Sequence, residues 1–310
     1  MRRAVARCFV TRDLPGPALG RLRERHEVDV WPERLPPPYE ELRARTARAE
    51  GLLSLLTDRV DAALIEGSPQ LRAIANYAVG YDNVDLDAAR ARGIAVGNTP
   101  DVLTDATADL TFTLLLAAAR RLPDALLSVQ RDDWLTWEPA AYLGHDVHGA
   151  TLGIIGMGRI GRAVARRAEG FDMTVLHTGS DGGVPLLTLL NRSDFVSLHC
   201  PLTPETRHLV NAARLARMRP GAVLVNVARG GCVDEAALAD ALARGPLGAA
   251  GLDVYEDEPR VHPALLALDN VVLAPHIGSA ERPTREAMAG LAADNVLAVL
   301  AGAPALTAVG

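Results

Sequence analysis

The chain has 310 residues, 49% hydrophobic and 23% charged, enough for two packed domains and too apolar for a disordered chain. A formal net charge of −6 argues against nucleic acid or an anionic membrane as the main partner. All 32 basic residues are arginine, which excludes mechanisms that need a catalytic lysine, such as a Schiff base.

The basic start, Met1 to Gly16, has an apolar stretch cut by Thr11, Arg12 and Asp13, so it reads as a first strand rather than a signal peptide. Short β-branched runs then alternate with helical stretches, the rhythm of α/β architecture with parallel sheets. In a first block the expected strands are Ala4–Phe9, Val28–Trp31, Leu52–Leu55, Ala73–Asn76 and Ile94–Val96. Helices are expected over Ala18–Arg25, Tyr39–Ala49 and Leu86–Arg92, with Pro36-Pro37-Pro38 a loop before the second. Asn98-Thr99-Pro100 punctuates a crossing, Asp101 is placed to cap the next helix, and that helix runs to about Arg120. Its apolar core, Leu110 to Ala119, contains two threonines and is too short to span a bilayer. Residues 121–148, with Trp134 and Trp137, form an extension that fits neither block.

A second block carries expected strands at Leu152–Ile155, Met173–His177, Asp194–His199, Ala222–Val227, Ala249–Val254 and Val271–Leu273, six in all, as suits a dinucleotide-binding sheet. Glu281-Arg282-Pro283 marks a return, after which Thr284–Leu300 reads as a helix that packs back on the first block. The expected division is therefore 1–99 plus 284–310 for a discontinuous first domain and 100–283 for the second. Cys8, Cys200 and Cys232 form no C-x-x-C pair and read as thiols of a reducing, cytoplasmic compartment. His145 and His148 stand three apart with no Cys or Glu to complete a metal set, so they are expected as surface polar residues, and no metal site is expected.

Gly156-Met-Gly158-Arg159-Ile160-Gly161 follows an apolar strand and opens a helix with Ile160, Val164 and Ala168 on one face. In that context Gly156 permits the tight turn, Gly158 lets backbone approach a pyrophosphate, and Gly161 lets helix and strand pack closely. A ribose-reading acid is expected about twenty residues on, near Gly179 or Ser180. The chain reads His177-Thr178-Gly179-Ser180-Asp181 there, so Asp181 comes one or two positions late. No arginine for a 2′-phosphate appears before Arg192, which leans the cofactor towards NAD(H) over NADP(H).

Three later strands end in Arg229, Glu258 and His276. Ligands of open α/β sheets bind outside the carboxyl ends of the strands, so the three are expected on one rim. An arginine fork holds a keto acid's carboxylate and polarises its carbonyl. A histidine supplies the proton, and a carboxylate beside it favours the imidazolium. Spacing alone allows an equal alternative, in which Arg229 and Glu258 form an ordinary ion pair and His276 caps a loop.

These segments resemble the D-isomer-specific 2-hydroxyacid dehydrogenase family over nearly the whole chain. The shared motifs are GMGRIG (156–161), HCPLTPET (199–206), NVARGGCVDEAAL (226–238), GLDVYEDEP (251–259) and PHIGSA (275–280). The resemblance implies two Rossmann-like or flavodoxin-like domains with parallel sheets and an inter-domain cleft. It also implies Arg229 on the substrate, His276 as acid/base, Glu258 as its partner and Asp253 on the nicotinamide carboxamide. Asn76-Tyr77-Ala78-Val79-Gly80 is similar to the family's carboxylate-binding loop, which implicates Val79 and Gly80. The stretch Gly51–Asp58, with Leu55, and Trp134–Pro139, with Trp137, resemble the glyoxylate/hydroxypyruvate reductase branch. In that branch the tryptophan segment belongs to a dimer arm (here about 121–148), so a homodimer is implied. Trp137 has an alternative as an interface or core anchor. The implied cofactor contacts are Gly156, Gly158, Arg159, Ile160, Gly161, His177, Thr178, Gly179, Ser180, Pro201, Val227, Asp253, His276, Gly278 and Ser279. Ser180 replaces the branch's 2′-phosphate arginine, and the connection to Leu186 is shorter than the family's. The expected reaction is reduction of glyoxylate or hydroxypyruvate. The alternatives are lactate, phosphoglycerate or phosphite chemistry of the same family, or a non-catalytic NAD-sensing protein.

Overall fold

A computed structural model describes residues 5–310 of the chain; Ala4, at the start of the first expected strand, lies outside the described residues. The chain divides into two compact units, Met1–Leu103 with Ser279–Gly310, and Thr104–Gly278. Both are α/β, and both sheets are built from parallel strands apart from one edge hairpin.

The first unit runs β1 (Arg7–Val10), α1 (Ala18–Arg23), β2 (Glu27–Val30), α2 (Tyr39–Thr46), β3 (Gly51–Ser54), α3 (Ala62–Glu66), β4 (Ala73–Asn76), α4 (Leu86–Ala91) and β5 (Ala95–Gly97), and the chain's last helix, α12 (Arg282–Leu300), returns to it. The sheet order is β2-β1-β3-β4-β5. Phe9, Leu52, Ile74 and Val96 pack with Leu42, Leu64 and Ile65 on one face. On the other face α12 comes so close that a Cβ on Gly51 would lie 2.8 Å from Val296 Cγ1. Helix α3 was not expected from the sequence: it is a single short turn-and-a-half, capped by the Asp61 side chain on the Leu64 N–H, too short to show a helical period. Helix α12 starts at Arg282 rather than Thr284, because Pro283 sits within its first turn, where a missing N–H costs nothing.

The second unit runs α5 (Thr104–Ala119), α6 (Leu122–Gln130), β6 (Thr151–Ile155), α7 (Arg159–Glu169), β7 (Thr174–Gly179), β8 (Gly182–Gly183), α8 (Leu186–Arg192), β9 (Phe195–Leu198), α9 (Ala212–Leu215), β10 (Val223–Asn226), α10 (Glu235–Arg244), β11 (Ala249–Leu252), α11 (Pro263–Leu266) and β12 (Val271–Leu273). Its order is β12-β11-β10-β9-β6-β7-β8, with the reversal of direction at β6 and β9. Alternate residues of each strand enter opposite cores: Val223 and Val225 join Leu152, Ile154 and Phe195, whereas Leu224 joins Ile155, Val196 and Leu198. Burial on both faces is why these strands read as unbroken apolar runs. Six strands were expected and seven are present. The extra one, β8, is two glycines paired antiparallel to the end of β7, which no hydrophobic pattern could reveal. Asp101, expected to cap α5, sits at φ 69° in the turn ahead of it, and Leu103 is the residue that adjoins the helix. No helix among the described residues is long and apolar enough to cross a membrane.

Candidate active site

The glycine loop follows β6. Gly156 takes φ +97°, and a Cβ there would lie 2.8 Å from the backbone of both His199 and Cys200, so glycine is obligatory. A Cβ on Gly161 would stand 2.2 Å from the Gly156 carbonyl oxygen. Gly158 differs: its φ is −72°, and a Cβ would meet no protein atom within 4 Å. The space in front of it is open, and no side chain caps the N–H groups that begin the eleven-residue helix α7. A free helix N-terminus facing open space fits a pyrophosphate.

At the end of β7 the chain turns through Ser180 and Asp181 into β8, with Thr178 opposite Gly183 and Gly179 opposite Gly182. The tight hairpin needs Gly183 at φ +96°, where a Cβ would strike the His177 carbonyl. It also folds Asp181 back. The carboxylate lies 3.1 Å from where a Cβ of Gly179 would be and accepts a 2.9 Å hydrogen bond from Arg162 of α7. The acid that stands late in the sequence thus returns to Gly179 in space.

His199, expected as a strand end and as the start of a motif but given no role of its own, follows β9 beside Gly156. Its Nε2 lies 2.8 Å from Ser197 Oγ, while Nδ1 is buried with no partner among the described residues. Burial pushes its pKa down to about 3, so the ring is neutral.

Arg229 follows β10. Buried Asn226 holds that loop at both ends: its Oδ1 accepts the Ala228 N–H at 3.0 Å, and its Nδ2 donates to the Arg229 carbonyl at 3.0 Å. Gly230 packs so tightly that a Cβ would lie 1.8 Å from the Tyr255 carbonyl carbon. The segment after β11 is equally fixed. Glu256 and Glu235 exchange backbone N–H bonds of 2.6 and 2.9 Å, and the Tyr255 hydroxyl donates to the Ala274 carbonyl at 2.8 Å.

On that frame Glu258 Oε2 lies 2.8 Å from His276 Nδ1, and its Oε1 accepts the Tyr255 N–H at 3.1 Å. Burial works to raise the Glu258 pKa, but the bond and charge of His276, the Tyr255 N–H and the charge of Arg229 together hold it below its ordinary value. His276 has φ 54°, left-handed for a residue with a Cβ. Fully buried Asp253 clamps it there by accepting the next two backbone N–H groups, Ile277 at 2.7 Å and Gly278 at 2.8 Å. Burial raises the Asp253 pKa against those two bonds and the charge of His276. The structure therefore brings Glu258, His276 and Asp253 into one hydrogen-bonded unit, with Arg229 close enough for its charge to act on Glu258. Glu258 and His276 are bonded directly.

In the first unit, two loops carry the remaining expected residues. Leu55 donates its N–H to Asp58 at 2.7 Å and receives Asn83 on its carbonyl at 3.0 Å. The carbonyls of Val79 and Gly80 accept from Asn98 at 2.7 Å and Asn76 at 2.8 Å, which fixes the peptide orientation there. Trp137 stands 76% exposed in the extension of the second unit.

The NAD-binding domain of the D-isomer specific 2-hydroxyacid dehydrogenases matches residues 112–278. The glyoxylate reductase of Thermococcus gammatolerans is 48% identical over 305 residues, covering 94% of this chain and 91% of its own. This chain belongs to the D-isomer specific 2-hydroxyacid dehydrogenase family. The glyoxylate reductase of Korarchaeum cryptofilum is 49% identical over 310 residues, covering 96% and 93%. Among solved structures, a Thermus thermophilus protein superposes with a TM-score of 0.92 at 50% identity, covering 98% of this chain and 100% of its own. The NADPH-dependent glyoxylate/hydroxypyruvate reductase of Sinorhizobium meliloti, solved with NADP and malonate, gives 0.87 at 36% identity, covering 99% and 97%. The family is one of nicotinamide-dependent oxidoreductases, and the open, uncapped N-terminus of α7 suits its dinucleotide.

Proposed function

We propose that this chain reduces a small 2-keto acid, glyoxylate or hydroxypyruvate, to the 2-hydroxy acid. The observation that carries the reading is the 2.8 Å bond between Glu258 and His276 on the strand rim that also carries Arg229. When bound, the reduced nicotinamide supplies a hydride to the carbonyl carbon. Arg229 holds the substrate carboxylate and polarises the carbonyl oxygen, on which negative charge develops. With Nδ1 committed to Glu258, Nε2 of His276 is the nitrogen that donates the proton to that oxygen. Glu258 stabilises the imidazolium before the transfer and keeps the ring from turning. Leu55, Val79, Gly80 and Trp137 are the further substrate residues on this reading.

Gly156, Gly158, Arg159, Ile160 and Gly161 are assigned to the pyrophosphate, and Asp253, Val227, Pro201, Gly278 and Ser279 to the nicotinamide half. For the adenosine half, His177 to Ser180 form the strand end over which Asp181 folds. A carboxylate there accepts from ribose hydroxyls and repels a 2′-phosphate, which supports NAD(H) as the preferred cofactor. A cytoplasmic homodimer is part of the same proposal.

Initial rates with glyoxylate and hydroxypyruvate, followed with NADH and NADPH in parallel, test the reading. Turnover with a higher kcat/KM for NADH is expected. Binding of either nucleotide without reduction of either keto acid would overturn the reductase assignment.

A further inference from the structure

Two of the three cysteines meet beside the arginine loop. Cys200 follows β9, and Cys232 closes a short 3-10 turn, Gly230–Cys232, just after Arg229. Their Sγ atoms are 3.9 Å apart, and Cys232 Sγ is also 3.9 Å from the Pro201 carbonyl oxygen. Cys232 is buried, whereas Cys200 is partly exposed. The two loops are already tied by backbone bonds, His208 N–H to the Gly231 carbonyl at 2.8 Å and Val210 N–H to the Cys232 carbonyl at 3.0 Å.

We propose that Cys200 and Cys232 are a redox-sensitive thiol pair, which a peroxide-class oxidant converts to an intramolecular disulfide that weakens dinucleotide binding. In the first step the Cys200 sulfur attacks one peroxide oxygen. An S–O bond forms, the O–O bond breaks, and water leaves, giving a sulfenic acid. In the second step the Cys232 sulfur attacks Cys200, the S–S bond forms, and the S–O bond breaks with loss of a second water. The two thiols lose two electrons and two protons, and the peroxide takes them up.

The bond requires the sulfurs to close from 3.9 Å to about 2.05 Å. The Cys232 side does not yield, because Gly230 is pressed against the Tyr255 backbone and Asn226 holds the loop at both ends. The Cys200 side moves instead. Its backbone nitrogen lies 2.8 Å from where a Cβ of Gly156 would be, so displacement there reaches the turn of the phosphate loop. It also carries Pro201, an expected cofactor contact. The hydrogen bond to Cys232, then burial, holds the Cys200 thiol above its ordinary range, so little thiolate is present near neutrality and excess oxidant is required. Cys8, deep in the other unit and pushed up to about 12 by burial, serves as an internal control.

This inference goes beyond the proposed activity, and the bond itself is read without it. The full-length reduced protein is treated with excess hydrogen peroxide, alkylated, digested and mapped by mass spectrometry. NADH affinity is measured by fluorescence before and after. The expected result is a Cys200–Cys232 peptide lighter by two hydrogens and an NADH dissociation constant raised about tenfold, reversed by dithiothreitol. Cys200→Ser and Cys232→Ser should each keep their NADH affinity through the treatment, and either variant alone suffices if the other misfolds. Accumulation of Cys200 sulfinic acid without the bridge overturns the proposal. So does a bridge that leaves NADH affinity unchanged. If the reduced protein binds no NADH, the cofactor reading fails, and the peptide map still decides whether the bridge forms.

Discussion

His276 is held where its own backbone resists being. A left-handed φ of 54° costs a residue with a Cβ about 1–3 kcal/mol, and the two N–H groups bonded to buried Asp253 oppose that cost. Replacing the ring alone should leave this clamp intact. His276→Ala is therefore expected to lower kcat by about 10²–10⁴-fold while the NADH dissociation constant stays near that of the parent. Parallel losses in both would show that the residue only shapes its loop. Two neighbours link the site to pH in opposite ways. The folded pKa of Glu258 lies below its unfolded value, so its stabilisation is present above the unfolded pKa and is lost as pH falls through the folded one. Asp253 is raised, so near neutrality its ionised form works against the fold. His199 gives the clearest test. It is neutral in the fold down to about pH 3, while an unfolded histidine protonates near pH 6.5, about the model-peptide value. The folded state binds fewer protons in that window, so stability should decline as pH falls through it. Urea denaturation from pH 7 to pH 4 should show the decline, and His199→Gln should flatten it. An unchanged slope would place the acid sensitivity elsewhere.

Among elements, the turn from β6 into α7 separates binding from folding within six residues. Gly161 is needed by the protein itself, because a Cβ would meet the Gly156 carbonyl at 2.2 Å. Gly161→Ala should cost about 1–3 kcal/mol of stability. Gly158 is not needed by the packing, because a Cβ there meets nothing, and on the proposed reading it serves the dinucleotide. Gly158→Ala should leave the thermal midpoint unchanged and still weaken NADH binding. A fall in the midpoint of Gly158→Ala would show that the glycine serves the fold. The β7–β8 hairpin carries the second element-scale expectation. Asp181→Ser removes the carboxylate over Gly179 and its bond to Arg162, so kcat/KM with NADPH should rise relative to NADH. An unaltered ratio would show that the hairpin plays no part in cofactor choice.

At the scale of the whole molecule, the extension after α5 is the part of the surface that water suits least. Leu126, Val129, Trp134, Leu135, Trp137 and Leu143 are all more than half exposed, Leu135 at 90%. So much apolar surface in one segment suits an association face, and on the proposed reading that face is the homodimer's. Sedimentation should report twice the 32.9 kDa of one chain, and Leu126→Glu with Val129→Glu should shift the protein towards monomer. A monomeric parent protein would assign those side chains another role.

How much of this was legible beforehand depended on how local the signal is. Strands β6, β9, β10 and β11 were readable because a sheet buried on both faces demands continuous apolar runs, and the glycine loop because strand, turn and helix are contiguous. The chain alone also determined that Arg229, Glu258 and His276 follow successive strands of a parallel sheet, hence one rim. Only the tertiary structure decided that Glu258 and His276 bond to each other. Glu258 and His276 are 18 residues apart and Asp253 and Gly278 are 25 apart, and nothing in local spacing encodes a 2.8 Å contact across such gaps. Helix α3, the glycine hairpin β8 and the return of Asp181 to Gly179 were hidden for a related reason: they are too short or too glycine-rich to carry a period. The meeting of Cys200 and Cys232 belongs with them, since two loops 32 residues apart are joined there only because neighbouring parallel strands end side by side.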